Sequence, residues 1–263
     1  MYKIKNQLFV IFLLCIVVFS AFFYKIYDTI LEGHGTANNN NISQQNDMNQ
    51  YYIQQISGNK TNQLPNVTVY PGSNNILSFF IDYDGTKNGN WTQIIGITPD
   101  KSGADNRYLS IWVCPSNSTL HIRTSTTNDG NKGILDNNND CRGFRLDYDG
   151  DKKLDLPITR RIDIVGNTDT SSLNQTYSIY DTLYKYKTTN ILRNTAQIGS
   201  SVTTSPQTNK NYKDSVYIYS SYSNWDHVPF NVYNVMFITG KQSFSLNTVE
   251  TCLSSYLQAL QSR

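Results

Sequence analysis

Four carboxylates crowd into nine residues of this chain, in Asp147-Tyr148-Asp149-Gly150-Asp151 with Asp155 close behind. Hard oxygen donors at that density suit Ca²⁺, which makes Asp147, Asp149, Asp151 and Asp155 candidate calcium ligands, with a solvated hairpin turn as the alternative for the same residues. The glycine stands at the fourth position of the run and not at the sixth, where an EF-hand loop needs it. Asp82 and Asp84 form a sparser second candidate. Sugar recognition asks for other groups, aromatic faces to stack on pyranose rings and amides or carboxylates to read hydroxyls. Trp91, Tyr222, Trp225 and Asp226 supply them in segments read as loops, most densely in Tyr222-Ser223-Asn224-Trp225-Asp226-His227. For Trp225 the alternative is an anchor in the core.

Other chemistries find little to work with. The only histidines are His34, His121 and His227, and none sits in an H-x-x-x-H or G-x-S-x-G arrangement. His121, on an alternating strand, reads as a packing or hydrogen-bonding residue. Of the four cysteines, Cys15 lies in an apolar segment, while Cys114 ends an expected strand and Cys141 follows the Asn-rich loop after the next one. A Cys114–Cys141 bridge is the expected pairing and leaves Cys252 over, although three outward cysteines allow three pairings. A net charge of +2, with no Lys/Arg stripe interleaved with aromatics, gives nucleic acid no footprint.

These residues must be positioned by one folded domain, since 263 residues suffice for a sandwich plus accessory segments. Leu8 to Tyr24 reads LFVIFLLCIVVFSAFFY without a charge, enough helix to cover roughly 25 Å of hydrocarbon. Lys3 and Lys5 precede it, while Lys25 is soon offset by Asp28 and Glu32, which predicts single-pass type II topology with a cytosolic tip and anchor in residues 1–32. A cleaved signal peptide ending before Ala21 is the alternative. Residues 33–66, rich in Asn and Gln, read as a tether. Sequons at Asn41, Asn59, Asn66, Asn90, Asn117 and Asn174 fit exposure on the secretory side.

From Val67 onward short β-rich runs alternate with Asn, Gly and Asp clusters. Strands are expected at Ile76–Tyr83, Thr92–Ile97, Tyr108–Val113, Leu120–Ser125, Gly143–Tyr148, Arg161–Val165, Ser178–Leu183, Asp214–Tyr219 and Val232–Ile238. Leu120-His121-Ile122-Arg123 and Val216-Tyr217-Ile218-Tyr219 alternate as strands with one buried face do. Asp84-Gly85, Asn88-Gly89, Asp129-Gly130 and Asp149-Gly150 supply turns. Residues 246–263 read as an amphipathic helix, with Asn247 as N-cap, Glu250 three positions on, and Val249, Leu253, Tyr256 and Leu260 on one face.

The run ILSFFIDYDGTKNGNWTQIIGI, Ile76 to Ile97, and the hairpin RYLSIWVCPSNSTLHIRTSTTN, Arg107 to Asn128, resemble the first two strand pairs of laminin-G-like, concanavalin-A-type domains of the kind found in large DNA viruses of eukaryotes. ITRRIDIVG, YSIYDTLYKYKT and NVYNVMFIT occupy the places of later family strands, without the Trp, His and Asn-Gly usual there. The resemblance implies an all-β antiparallel sandwich, a jelly roll, over residues 67–245. Glucanase relatives of that fold cleave with paired glutamates, one protonated and one ionised. Here 18 Asp accompany 2 Glu, and no Glu lies between Glu32 and Glu250. The chain is therefore expected to be a membrane-anchored, non-catalytic, lectin-like surface or virion protein that binds glycans or protein partners. Its alternative is a minor capsid component tying an internal viral membrane to the shell; a secreted glycosidase is a third reading.

Overall fold

In the computed structural model the alternating runs form strands that gather into two six-stranded antiparallel sheets. The structure describes residues 48–56, 61–64, 68–69, 73–85, 91–98, 107–115, 117–130, 132–135, 141–186, 191–203, 212–213, 216–219 and 230–261. The chain divides into Met1–Ile42 and Ser43–Arg263, and every described residue belongs to the second unit. The expected anchor, Leu8 to Tyr24, thus lies outside the described residues, among which no helix is long and apolar enough to cross a membrane.

The first sheet takes β1 (Met48–Ile56), β4 (Asn74–Tyr83), β11 (Ile158–Thr168), β12 (Gln175–Tyr186), β13 (Ile191–Thr203) and β16 (Phe230–Gly240), in the order β1-β16-β4-β11-β12-β13. The second takes β2 (Thr61–Leu64), β5 (Thr92–Thr98), β6 (Leu109–Val113), β7 (Leu120–Thr124), β8 (Lys132–Leu135) and β15 (Val216–Tyr219), in the order β2-β15-β5-β6-β7-β8. Two short pairs, β3 (Thr68–Val69) with β14 (Tyr212–Lys213) and β9 (Tyr148–Asp149) with β10 (Lys152–Lys153), complete the strands. One apolar cluster fills the space between the sheets, joining Leu77, Phe79, Ile81, Ile162, Ile164, Ile179 and Phe237 of the first to Ile95, Ile97, Ile111, Leu120 and Ile122 of the second. Interdigitation of two inner faces is what makes this a sandwich.

The first sheet is buried on its other face as well, which single-faced alternation does not foretell. Ile76, Phe80, Val165, Met236 and Ile238 form a second cluster with Phe244 and with Val249 and Leu253 of α1 (Leu246–Gln261). The helix starts one residue before the expected cap: Ser245 is the N-cap, its carbonyl accepting from the Thr248 N–H at 3.0 Å while Thr248 Oγ1 accepts from the Ser245 N–H at 3.3 Å. Glu250 is then free of capping duty and pairs with Arg161 of β11 and Arg193 of β13.

Three differences from the sequence expectation have local causes. Met48–Ile56 and Thr61–Leu64, read as tether, are strands of the two sheets, because ladder hydrogen bonds come from the backbone and ask nothing apolar of Asn or Gln. Of the expected strand Gly143–Tyr148 only Tyr148 is in a strand, β9; Arg145 makes a single bridge to Thr119, and Phe144 and Leu146 only follow the rim of β7. β13, the longest of the described strands, is not among the expected ones because ILRNTAQIGSSVT has weak alternation, and its place is set by its ladder with β12. The Asp149-Gly150 turn forms as expected, Gly150 at φ +62° closing the β9–β10 hairpin. A disulfide joins Cys114, just after β6, to Cys141, and Cys252 is a half-buried free thiol on α1.

Candidate functional site

Alternation along β5, β6 and β7 sends Ile111, Leu120 and Ile122 into the core, so Gln93, Ser110, Trp112, His121 and Arg123 point the opposite way. Directly opposed residues of antiparallel strands share a face, and the register places Gln93, Trp112 and His121 in one row across three strands. The next row holds Gly96, Ser110, Arg123 and Gly133. Ser110 and Arg123 supply the side chains of that row, its other two positions being glycine. Trp91, immediately before β5, stands with its ring 4.9 Å from that of His121 at 58°. Arg107, before β6, donates from Nη1 to Ser110 Oγ at 3.4 Å, and its backbone N–H donates to Ser125 Oγ at 3.1 Å. Trp112 donates its indole N–H to Ser110 Oγ at 2.8 Å, which fixes the ring orientation.

Depth divides these residues. Gln93, Ser110, His121 and Arg123 are buried, whereas Trp91, Arg107 and Trp112 are half-buried and form the accessible part of the face. The Nε–H of Arg123 donates to His121 Nε2, so the imidazole carries its proton on Nδ1 and is neutral. Burial, with Arg123 and Arg107 adding repulsion, pulls the His121 pKa down to about 3.

That depression has a testable sign. A histidine whose folded pKa lies below its unfolded value contributes stability that is fully present above about pH 6.5 and is lost as pH falls toward 3. Between pH 7 and pH 5 the wild type should therefore lose about 2 kcal/mol more stability than His121→Gln. Urea unfolding of both proteins at the two pH values measures this, and parallel pH profiles would show that His121 is not held neutral by its surroundings.

The acidic run meets basic partners in the fold. Asp147 is buried and takes a two-pronged contact from Arg145, Nε to Oδ1 at 3.0 Å and Nη2 to Oδ2 at 2.9 Å. Asp149 pairs with Lys185 of β12, and Asp151 and Asp155 are exposed. Among the described residues no three His, Cys, Asp or Glu side chains converge. Asp82 likewise accepts from Thr159 Oγ1 at 2.6 Å and from the Tyr233 hydroxyl at 3.0 Å.

No family model and no curated protein matches the chain. Solved structures with a similar course include the botulinum neurotoxin serotype D ligand-binding domain in complex with N-acetylneuraminic acid, at TM-score 0.46 and 13% identity over 79% of this chain and 42% of that one. Another is the Ruminococcus gnavus IT-sialidase CBM40 bound to α2,6-sialyllactose, at TM-score 0.37 and 6% identity, covering 75% of this chain and 95% of that one. A third is the PL-14 alginate lyase of Aplysia kurodai, at TM-score 0.35 and 8% identity, covering 72% of this chain and 82% of that one. The chain spans less than half the length of the neurotoxin domain.

Of the four residues expected to contact sugar, Trp91 is on the face just described, while Tyr222, Trp225 and Asp226 lie outside the described residues. Sequence reasoning missed Gln93, Arg107, Ser110, Trp112 and Arg123. The alternation Ser110/Trp112 and His121/Arg123 within two neighbouring strands was the available signal. What it lacked was the register that aligns the two pairs with each other and with Gln93.

Proposed function

We propose that this chain is a non-catalytic glycan-binding protein whose ligand lies on the outer face of the second sheet, carried at a membrane by the segment Leu8 to Tyr24. The observation that carries the reading is the pair of half-buried indoles, Trp91 and Trp112, set beside Arg107 and the buried His121–Arg123 pair. Indole faces stack on the apolar faces of sugar rings, and a ring already fixed by its N–H bond loses little freedom on binding. Guanidinium donors around them suit hydroxyl and carboxylate oxygens. The non-catalytic part of the reading draws on the carboxylates: Glu250 is tied to Arg161 and Arg193, and Asp147 and Asp149 are paired with Arg145 and Lys185.

A panel of neutral and acidic glycans, presented to the full chain in a detergent without a sugar headgroup, tests both parts. Trp112→Ala should weaken binding of any retained glycan roughly ten- to hundredfold, the loss expected for a central aromatic contact. Equal binding by wild type and Trp112→Ala would move the ligand off this face. Release of reducing sugar would make the protein an enzyme, and recovery of the intact chain in the aqueous phase would remove the anchor.

A further inference from the structure

A second concave feature shares no residue with the indole face. This cleft, of about 440 Å³, lies among the β9–β10 hairpin, the start of β11 and the end of β12. Three lysines line it, Lys152, Lys153 and Lys185, against two aspartates, Asp149 and Asp155. The pairing among them is uneven. Asp149 stands directly across the hairpin from Lys152, yet its carboxylate binds Lys185. Lys152 and Lys153 form no ion pair among the described residues, and both are exposed. Their charge is therefore available at the rim, while Leu154, Pro157 and Leu183 give the lining an apolar part.

The wall that carries the two lysines is built in advance of any ligand. Arg160, buried in the core, donates from Nε to the Leu146 carbonyl at 3.0 Å, from Nη2 to the Tyr148 carbonyl and from Nη1 to Asp181. Its guanidinium also lies 5.1 Å from the Phe144 ring centroid. Arg145 covers the Tyr148 ring at 4.0 Å, and the Leu154 N–H donates to the Asp147 carbonyl at 2.9 Å on the far side of the turn. Both ends of the hairpin are thus fastened, so a ligand would not have to order its backbone.

We propose that this cleft binds a small organic anion, a sugar-sized ring bearing a carboxylate or sulfate, with the anionic group at Lys152 and Lys153 and the ring against Leu154, Pro157 and Leu183. Exposed lysines with their charge unspent supply charge-assisted hydrogen bonds to such a group. The neighbouring apolar side chains take the ring face. Asp155, lacking an ion pair among the described residues, is an acceptor for ring hydroxyls and disfavours a second negative charge on the ligand. The inference is independent of the indole face, since the two share no residue.

Titration calorimetry on the full chain with glucuronate, glucose and inorganic sulfate tests it. Glucuronate should saturate and glucose should not. Lys152→Gln combined with Lys153→Gln should weaken glucuronate at least about tenfold, because one charge-assisted contact is worth that much, while Trp112→Ala should leave it unchanged. Sulfate should compete with glucuronate but bind less tightly, lacking the ring. Absence of saturation, or equal affinity in the lysine variant, would overturn the site. Loss of glucuronate binding in Trp112→Ala would assign the anion to the indole face, and sulfate binding as tight as glucuronate would reduce the cleft to a site for inorganic anions. Both substituted lysines are exposed, so the variant keeps its fold, and an unchanged melting temperature checks this.

Discussion

Arg161→Met should lower the melting temperature of the protein by roughly 10 °C, the equivalent of about 3–5 kcal/mol for stranding the buried Asp163 carboxylate in a domain of this size. Arg161 and Asp163 are both fully inaccessible, on the face of β11 that α1 covers. The guanidinium donates from Nε to Asp163 Oδ2 at 3.0 Å, and its Nη2 bridges Asp163 to Glu250 of the helix. Its Nη1 donates to the Tyr184 hydroxyl at 3.3 Å. Burial alone would lower the Arg161 pKa, but Asp163, Tyr184 and Glu250 outweigh it and hold the guanidinium firmly charged. Burial raises the Asp163 pKa, with Arg161 and Ser78 opposing.

Without the guanidinium, Asp163 keeps only the Ser78 hydroxyl, which donates to Oδ1 at 2.7 Å. An isolated buried carboxylate takes up a proton in place of remaining ionised. Its folded pKa then stands further above the unfolded value, so the variant gains stability relative to wild type as pH falls from 7 toward 5. Adding Asp163→Leu should recover most of the loss, because removing both charges leaves nothing unpaired. Glu250→Gln should cost far less, its carboxylate being partly exposed. If Arg161→Met melts with the wild type at pH 7, the helix is not held by this cluster.

Removing the disulfide, by Cys114→Ser with Cys141→Ser, should cost about 3.5 kcal/mol on the loop-entropy account, since the bridge closes a separation of 27 residues. The Cα atoms are 5.7 Å apart, an ordinary bridging distance. Cys141 is also fastened by its carbonyl, which accepts from the Thr119 hydroxyl at 3.0 Å and from the Asn117 side-chain amide. Those bonds keep the native loop in place in the variant, so the effect falls mainly on the unfolded ensemble, which regains the freedom that the crosslink removed. Denaturant midpoints for oxidised, reduced and double-serine protein measure it. Coincident midpoints for all three would mean that the bridge contributes nothing to stability.

How far the candidate site was legible follows from the range of the interactions that build it. Trp91 was picked out as a sugar-facing aromatic and does stand on the outer face of the second sheet, because a large aromatic beside a turn is visible in the chain itself. Its companions were not picked out. Trp112 and His121 are opposed only because β6 and β7 pair in one register, and a shift of one residue would put them on opposite faces of the sheet. His121 and Arg123 were expected on the solvated side of a half-buried strand; they do point away from the core but are buried, so the polar side of β7 is no longer solvent-facing. The acidic run was legible as a turn, since Asp-Gly makes one locally. Its occupation by Arg145 and Lys185 was not, because Lys185 arrives from β12, 36 residues along the chain from Asp149.

Neighbouring residues alone settle the all-β class, most strand positions, the Asp-Gly turns and the amphipathic tail helix, since strand alternation and helical period are properties of short windows. The absence of a glutamate pair for glycosidase chemistry between Glu32 and Glu250 is likewise plain from the chain. Long-range packing is what makes residues 48–56 complete the first sheet, Glu250 bridge Arg161 and Arg193 in place of a capping contact, and two indoles share a face with a neutral histidine. Each of those depends on which distant strand or helix lies alongside, and that choice is made by the free energy of the whole packed sandwich, which no short stretch of chain contains.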